Sequence, residues 1–375
     1  MTFEERVRAV MAHEMENAES EAVRFLQKIQ AKPKLCLWGL GSHGHNWYLY
    51  LKSLGIHVDY VYDASPEVLA AWHGREDRLM PPPSGQERAA YLSDVTVLVT
   101  MRNAQPLVDE LYVDGVHDVY VPTVNLFSFD TDLRYAGHPA KLQEMEREVC
   151  ALLRLCGDDT SREIICQTVE KYFDEAYVQI DCIPNQYFVQ PLVPLTEKEC
   201  FVDVGAFDGD TIDAFLGATD GKYRHIYAFE MSKRNYARLS CKVQEDPRCA
   251  ADRVTLYPYG ASDRDGTARY YENNTSTVFS ADGTETAEFR RLDDVLKDQP
   301  VTFIKMDIEG AEPLALRGAE HIIRTQTPKL AICTYHRAEH LWEIPKMILQ
   351  MNPAYHIYFR HHDKDEMETV CYAIP

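Results

Sequence analysis

Apolar residues in this chain gather into short runs, and between them lie polar stretches in which hydrophobic positions recur every three or four residues. Buried strands alternating with amphipathic helices give this pattern, so it predicts a mixed α/β protein. Residues 1–30 form a helical segment: Thr2 with Glu5 makes a capping box, and Val7, Val10, Met11, Met15, Val23, Phe25 and Leu26 give its apolar stripe. Lys34 to Trp38 then reads as a strand, His45 to Leu54 as a helix and Ile56 to Tyr62 as a second strand. Thr96 to Thr100 and Asp118 to Val121 supply two more short strands, with Pro81-Pro82-Pro83 punctuating the loop before them. These elements predict a small Rossmann-like α/β domain of nucleotide-binding type over 31–128. The stretch 129–198 reads as a helical bridge, with Leu142, Met145, Val149, Leu152, Leu153 and Leu155 at helical spacing.

From 199 to 375 the alternation resumes as a second α/β domain. Strands are expected at Cys200–Val204, His225–Phe229, Val254–Tyr257, Val301–Met306 and Lys329–Tyr335. Tyr355–Phe359 and Thr369–Ile374 follow, joined as a hairpin by the polar turn His361-His362-Asp363-Lys364-Asp365, whose histidines read as solvated. Five parallel strands with a terminal hairpin make a seven-stranded, mostly parallel sheet.

Composition narrows the partners. A chain of 375 residues with 45% hydrophobic and 26% charged residues is that of a soluble globular protein of two or three domains. Its net charge of −20 disfavours nucleic acid and anionic membranes, which reward clustered Lys and Arg. No run approaches the roughly 20 apolar residues of a membrane span, and the acidic start Thr2-Phe3-Glu4-Glu5-Arg6 is unlike a secretory signal. The expectation is a cytoplasmic protein. Its ten cysteines show no Cys-x-x-Cys pair and read as buried thiols in a reducing compartment.

The densest chemistry lies in Val202-Asp203-Val204-Gly205-Ala206-Phe207-Asp208-Gly209-Asp210-Thr211, where a buried strand runs into a glycine loop and then a helix. Such a loop holds a nucleotide-like cofactor at the carboxyl end of a parallel strand. Asp203, Asp208 and Asp210 would repel a pyrophosphate, but they suit the sulfonium and ammonium of S-adenosylmethionine. Glu230, 25 residues after Gly205 at the end of the next strand, is placed to accept both ribose hydroxyls. A second loop, Gly39-Leu40-Gly41-Ser42-His43-Gly44, is an intact G-x-G-x-x-G, and Asp63 follows Gly44 by 19 residues. It predicts a second nucleotide site with Gly39, Gly41, Ser42 and Gly44 around a diphosphate and Asp63 near a ribose. The competing reading is a degenerate Rossmann unit kept for packing or dimerisation.

After the fourth strand of the second domain comes Lys305-Met306-Asp307-Ile308-Glu309-Gly310-Ala311-Glu312, with Pro313 suited to the first turn of the next helix. Asp307, Glu309 and Glu312 near a helix amino terminus are expected to stay ionised, and His336 ends the fifth strand at the same sheet edge. Asp307, His336, Glu309 and Lys305 are the catalytic candidates. Asp307, Glu309, Glu312 and His336 are also the candidates to hold a divalent cation, without a compact ligand motif. For Glu309 and Glu312 the plain alternative is helix-terminus stabilisation, worth roughly 0.3–1 kcal/mol each.

On these motifs, with Phe229-Glu230 and Tyr335-His336, residues 199–375 resemble the FkbM-like family of S-adenosylmethionine-dependent methyltransferases, and Asn185-Gln186-Tyr187-Phe188 resembles its approach segment. The resemblance implies a class I, Rossmann-like methyltransferase fold. It places Asp203, Gly205, Ala206, Phe207, Asp208, Gly209, Thr211, Glu230 and Ser262 on the cofactor, with a sugar or related hydroxyl as methyl acceptor. The run Tyr259-Gly260-Ala261-Ser262-Asp263 departs from it by lacking an Asn shortly before the Ala. Residues 34–70 are similar to the small nucleotide-sugar-binding modules attached to sugar-modifying enzymes. The expected partner is a carbohydrate or nucleotide-sugar, acted on by a monomer or homodimer. Two alternatives stay open: a bifunctional sugar-modifying enzyme using NAD in its first domain, and a non-catalytic S-adenosylmethionine-binding protein.

Overall fold

Contacts divide the chain into two units, Met15–His138 and a second made of Met1–Glu14 with Pro139–Pro375. The computed structural model describes residues 1–16, 20–65, 68, 72, 78–79, 84–101, 103–122, 126–173, 179–272, 277–279, 283–363 and 368–375. The prolines 81–83 and residues 364 and 365 of the expected turn lie outside them. The amino-terminal helical segment is two helices, α1 (Phe3–Glu16) and α2 (Glu21–Ile29). The capping box of α1 forms as its sequence predicts: the Glu5 amide donates to Thr2 Oγ1 at 3.2 Å and the Thr2 amide to Glu5 Oε2 at 2.7 Å. Ser20 caps α2 by accepting from the Val23 amide at 3.2 Å.

The unit Met15–His138 is a parallel sheet of β1 (Lys34–Trp38), β2 (Tyr60–Tyr62), β3 (Arg78–Leu79), β4 (Val95–Val99) and β5 (Val119–Tyr120). Its order is β3-β2-β1-β4-β5, and α3 (Ser42–Ser53), α4 (Glu87–Tyr91), α5 (Gln105–Val113) and α6 (Leu126–Tyr135) connect or follow the strands. β1 is buried on both faces: Leu35 and Leu37 pack with Trp47, Leu51, Val61 and Phe129, while Cys36 and Trp38 pack with Val97, Val99 and Leu111. This two-sided burial is why the run carries no polar alternation. β2 is shorter than the expected Ile56–Tyr62 because the Ile56 amide is taken by the Leu51 carbonyl, 2.9 Å away at the end of α3.

In the other unit, α7 (Pro139–Leu155) and α8 (Asp159–Phe173) precede a seven-stranded sheet. Its strands are β6 (Cys200–Val204), β7 (His225–Phe229), β8 (Val254–Tyr257), β13 (Phe303–Met306), β14 (Lys329–Cys333), β15 (His356–His361) and β16 (Thr369–Ile374), ordered β15-β16-β14-β13-β6-β7-β8. Only the β16 pairings with β14 and β15 are antiparallel, so the parallel sheet with a terminal hairpin is as its sequence predicts. The helices are α9 (Asp210–Ala218), α10 (Lys233–Glu245), α11 (Leu292–Val295), α12 (Glu312–Gly318), α13 (Glu320–Gln326) and α14 (His340–Met351). β6 lies inside the sheet between β7 and β13 and all five of its residues are buried. Phe201 stacks on Phe215 with ring centroids 4.5 Å apart and meets Phe188 and Phe303 at 5.8 and 5.3 Å. α8 is tied to β15 by Arg360, which donates to Asp158 at 2.6 Å, and by the Phe359 amide, which donates to Ser161 Oγ at 2.9 Å.

Three features depart from expectation. A four-stranded sheet, β9 (Gly260–Ala261), β10 (Gly266–Glu272), β11 (Thr277–Phe279) and β12 (Glu285–Arg290), stands between β8 and β13 in order β11-β10-β12-β9. Its strands are charge-rich, so no apolar run announces them. The paired histidines are not solvated: His361 closes β15 fully buried, 2.8 Å from Thr369 Oγ1, and His362 lies between the Ile183 carbonyl at 2.6 Å and the Tyr372 hydroxyl at 2.8 Å. The strand simply runs further than its polar end implies. The ten cysteines are all free, yet Cys182 and Cys241 are exposed rather than buried. Among the described residues no helix is long and apolar enough to cross a membrane.

Phe201→Ala removes the ring shared by Phe188, Phe215 and Phe303, and truncations of this kind cost about 3–5 kcal/mol. Urea unfolding followed by circular dichroism is expected to show that loss.

Candidate active site

At the centre of the sheet the chain leaves β6 through Gly205-Ala206-Phe207-Asp208-Gly209 and enters α9. Gly205 has φ +79°, and a Cβ there would stand 2.0 Å from the Asp307 carbonyl oxygen, so the loops after β6 and β13 touch backbone to backbone. Only glycine allows both the conformation and the approach. Gly209, φ +87°, precedes α9. Beneath the loop Lys305, fully buried in β13, places Nζ 3.0 Å from Asp203 Oδ1 and donates to the Gly205 carbonyl at 2.7 Å. Burial raises the Asp203 pKa to about 6, against the pull of Lys305.

This pair alters two expectations. Asp203 turns inward, where its charge is met by Lys305, and the Lys305 ammonium supports the loop instead of reaching an acceptor. Asp208 lies 3.9 Å from Lys242, and Asp210 accepts from the Thr211 amide at 2.7 Å in the first turn of α9. Thr211 is buried in that turn. Negative charge for a cationic ligand therefore comes chiefly from neighbouring loops.

Glu230, at the end of β7, is one source. Its Oε2 accepts from the Phe207 amide at 2.9 Å and its Oε1 from the Ser232 amide at 2.8 Å, so it clasps the β6 loop to the start of α10. Burial raises its pKa to about 7 against those two bonds. Each oxygen keeps a lone pair for a further donor. Ser262 belongs to the smaller sheet: its amide donates to the Arg290 carbonyl at 3.0 Å, and a Cβ on Gly318 would stand 2.0 Å from its own carbonyl.

Asp307, directly after β13, is the hub. Tyr187 donates to its Oδ2 at 3.0 Å, Tyr335 donates to its Oδ1 at 3.0 Å, and His336 Nε2 stands 3.4 Å away. Burial by itself would raise its pKa, but Lys305, His336 and the two phenols outweigh that and hold it low. A quarter of the side chain remains exposed. His336 Nδ1 is 3.0 Å from Glu312 Oε1 and its Nε2 is 3.7 Å from Glu309. Burial disfavours the imidazolium, yet Glu312, Asp307 and Glu309 raise its pKa to about 9. At neutral pH His336 is a cation and not the free base its position at the strand end suggests. Glu312, fully buried, is kept ionised by the same contact and accepts from the Ile308 amide at 2.9 Å. Glu309 departs from the others: burial raises its pKa.

Ligand atoms of Asp307, Glu312 and His336 lie within 4.8 Å of one another, as do those of Asp307, Cys333 and Glu368. Neither set fits a metal well. A protonated imidazole offers no lone pair, and burial pushes the Cys333 thiol far from ionisation.

Several members of the site carried no assigned role in the sequence. Glu368, just before β16, accepts from Gln186 and, at 3.4 Å, from Tyr335, and burial with the Asp307 charge raises its pKa to about 7. The Tyr187 amide donates to the Tyr372 hydroxyl at 2.9 Å. Since His362 Nδ1 faces a carbonyl it must donate there, so its Nε2 accepts from Tyr372. The run from Asn185 to Phe188 marked Tyr187 by motif; nothing local marked Glu368. In the amino-terminal unit Gly39, Gly41, Ser42 and Gly44 form the turn from β1 into α3, and Asp63 follows β2.

Residues 203–363 match the model of the family described as methyltransferase FkbM domain. Over 99% of its length the chain is similar in structure to a methyltransferase FkbM from Methylobacillus flagellatus KT, with 22% identity, 98% of that chain covered and a TM-score of 0.62. An rRNA methylase from Streptococcus thermophilus is similar over 48% of this chain and 87% of its own, at 12% identity and a TM-score of 0.32. A fibrillarin from Aeropyrum pernix in complex with natively bound S-adenosyl-L-methionine is similar over 48% of this chain and 69% of its own, at 13% identity and a TM-score of 0.31. No curated protein matches the sequence.

Folding raises the His336 pKa from 6.5 to about 9, so its contribution to stability is complete below pH 6.5 and is lost as pH rises through about 9. Urea unfolding of wild type is expected to weaken over that window by on the order of 3 kcal/mol. In His336→Gln that slope should vanish; an equal slope in both proteins refutes the ion-pair assignment.

Proposed function

With an FkbM-like methyltransferase domain in residues 203–363, we propose that this chain methylates a hydroxyl oxygen of a sugar or related small molecule, using S-adenosylmethionine. The observation that carries this reading is Asp307, an ionised and partly exposed carboxylate at the carboxyl end of β13, oriented by two phenols and an imidazolium.

The residues suit that cofactor. Glu230 has lone pairs for ribose hydroxyls, and the β6 loop offers backbone without side-chain bulk at Gly205 and Gly209. Asp307, Glu309 and Glu368 add negative charge beside it. When bound, the sulfonium supplies an electrophilic methyl group. Asp307 accepts a hydrogen bond from the acceptor hydroxyl and takes its proton as the new C–O bond forms. An oxygen gaining an alkyl group becomes strongly acidic, so a weakly basic carboxylate suffices. General-base help of this kind contributes about 10²–10⁴ in rate, and alignment on the order of 7–11 kcal/mol, so positioning by Tyr187 and Tyr335 matters more than proton transfer. Carboxylates are hydrogen-bond acceptors, which suits an acceptor rich in hydroxyl donors. A net charge of −20 argues against nucleic acid in that place.

Calorimetry with S-adenosylhomocysteine and S-adenosylmethionine tests the first step. Binding is expected, at least tenfold weaker in Glu230→Gln, and weakening in wild type as pH falls through about 7, where Glu230 takes up a proton. Absence of binding sinks the reading. Turnover is read as S-adenosylhomocysteine release over a panel of sugars and sugar nucleotides. Asp307→Asn should lose about 10²–10⁴ of the rate with cofactor affinity retained.

A further inference from the structure

The amino-terminal unit repeats the clasp that Glu230 makes in the other unit. Asp63 stands at the end of β2 as Glu230 stands at the end of β7. Its Oδ2 accepts from the Leu40 amide at 2.7 Å, in the loop leaving β1, and its Oδ1 accepts from the Ser65 amide at 2.8 Å, two residues on. Glu230 makes the same two bonds, to Phe207 in the loop leaving β6 and to Ser232 two residues on. In both cases the carboxylate is fixed and keeps lone pairs for a pair of vicinal hydroxyls. The sheet order β3-β2-β1-β4-β5 reverses at β1, and ligands of open parallel sheets bind in the crevice beyond such a reversal.

The three glycines of this loop have different reasons to be glycine. Gly39 has φ +107°, and a Cβ there would stand 2.6 Å from Met101 Cγ. A Cβ on Gly44 would stand 1.8 Å from the Gly39 carbonyl oxygen, so the first turn of α3 rests directly on the loop. Both are required by the fold. Gly41 is not: its φ is −58°, and no atom lies within 4 Å of where its Cβ would be. It is also the N-cap of a 12-residue helix, a position at which Ser, Thr, Asp or Asn would serve at least as well. The exposed space above Gly41 is a cradle that any side chain would fill, next to amides that have no partner within the helix.

We propose that residues 34–65 and the turn after β4 form a second binding site, for a nucleoside diphosphate group. Asp63 receives the ribose hydroxyls, and the diphosphate lies over Gly41 at the start of α3. Sugar nucleotides and dinucleotides such as NADH share this chemistry. The site stands independently of the methyl-transfer reading.

Calorimetry on the full chain with ADP, UDP-glucose and NADH tests it, using wild type, Gly41→Ala and Gly41→Asp. Aspartate is a strong N-cap, so Gly41→Asp should unfold at the wild-type temperature or above, while its carboxylate occupies the diphosphate position. At least one probe is expected to bind wild type, with a tenfold or greater loss in Gly41→Ala and a hundredfold or greater loss in Gly41→Asp. S-adenosylhomocysteine affinity should be unchanged in both variants, which separates this site from the other. UDP-glucose binding without NADH binding identifies a sugar-nucleotide site, and the reverse a dinucleotide site. No binding by any of the three at millimolar concentration, or undiminished binding in a folded Gly41→Asp, overturns the proposal.

Discussion

The carboxy-terminal site depends on one close approach, that of Gly205 to the Asp307 carbonyl. A Cβ would have to sit 2.0 Å from that oxygen, so the β6 and β13 loops share a space only bare backbone can enter. The contact places the cofactor-type loop and the Asp307 carboxylate against each other. Lys305 reinforces it from below, since one ammonium both neutralises Asp203 and holds the Gly205 carbonyl. A buried pair of this kind contributes little net stability, and its value here is geometric. It fixes the loop without placing a mobile side chain in the crevice.

Charge follows the same division of labour. The acidic residues that crowd the motifs fall into two groups. Asp203 and Glu312 are buried against Lys305 and His336 and serve as struts. Asp307, Glu309 and Glu230 face the space where ligands arrive. His336 ties the two groups together, because its imidazolium touches Glu312 on one nitrogen and Asp307 and Glu309 on the other. An imidazole so surrounded gives up its capacity as a base and in return keeps Asp307 ionised.

The clasps of Asp63 and Glu230 show one backbone solution used in both units, with different chemistry laid over it. The β6 loop carries acids beside its glycines, whereas the loop after β1 carries none between Gly39 and Gly44. An acidic loop suits a cationic ligand and a neutral loop suits a diphosphate, so geometry in common does not imply ligands in common.

Strand order, the glycine loops and the acids at strand ends were legible in the sequence because each is local: a buried parallel strand leaves an unbroken apolar run, and a tight turn leaves a glycine. Gly205, Glu230 and Asp307 are recognisable for that reason. What a side chain faces is a different matter. Asp203, Asp208 and Asp210 look alike in a row, yet a cation 102 residues away in β13 decides that the first of them is internal. The charge-rich strands β10 and β12 have no apolar run to betray them, and Glu368 reaches the site only because the β15–β16 hairpin returns it beside Tyr335. Protonation is the furthest from local control. Three carboxylates drawn from one loop and helix start, converging on His336 from the next strand, move its pKa by their distance and burial, quantities that exist only once the sheet has formed.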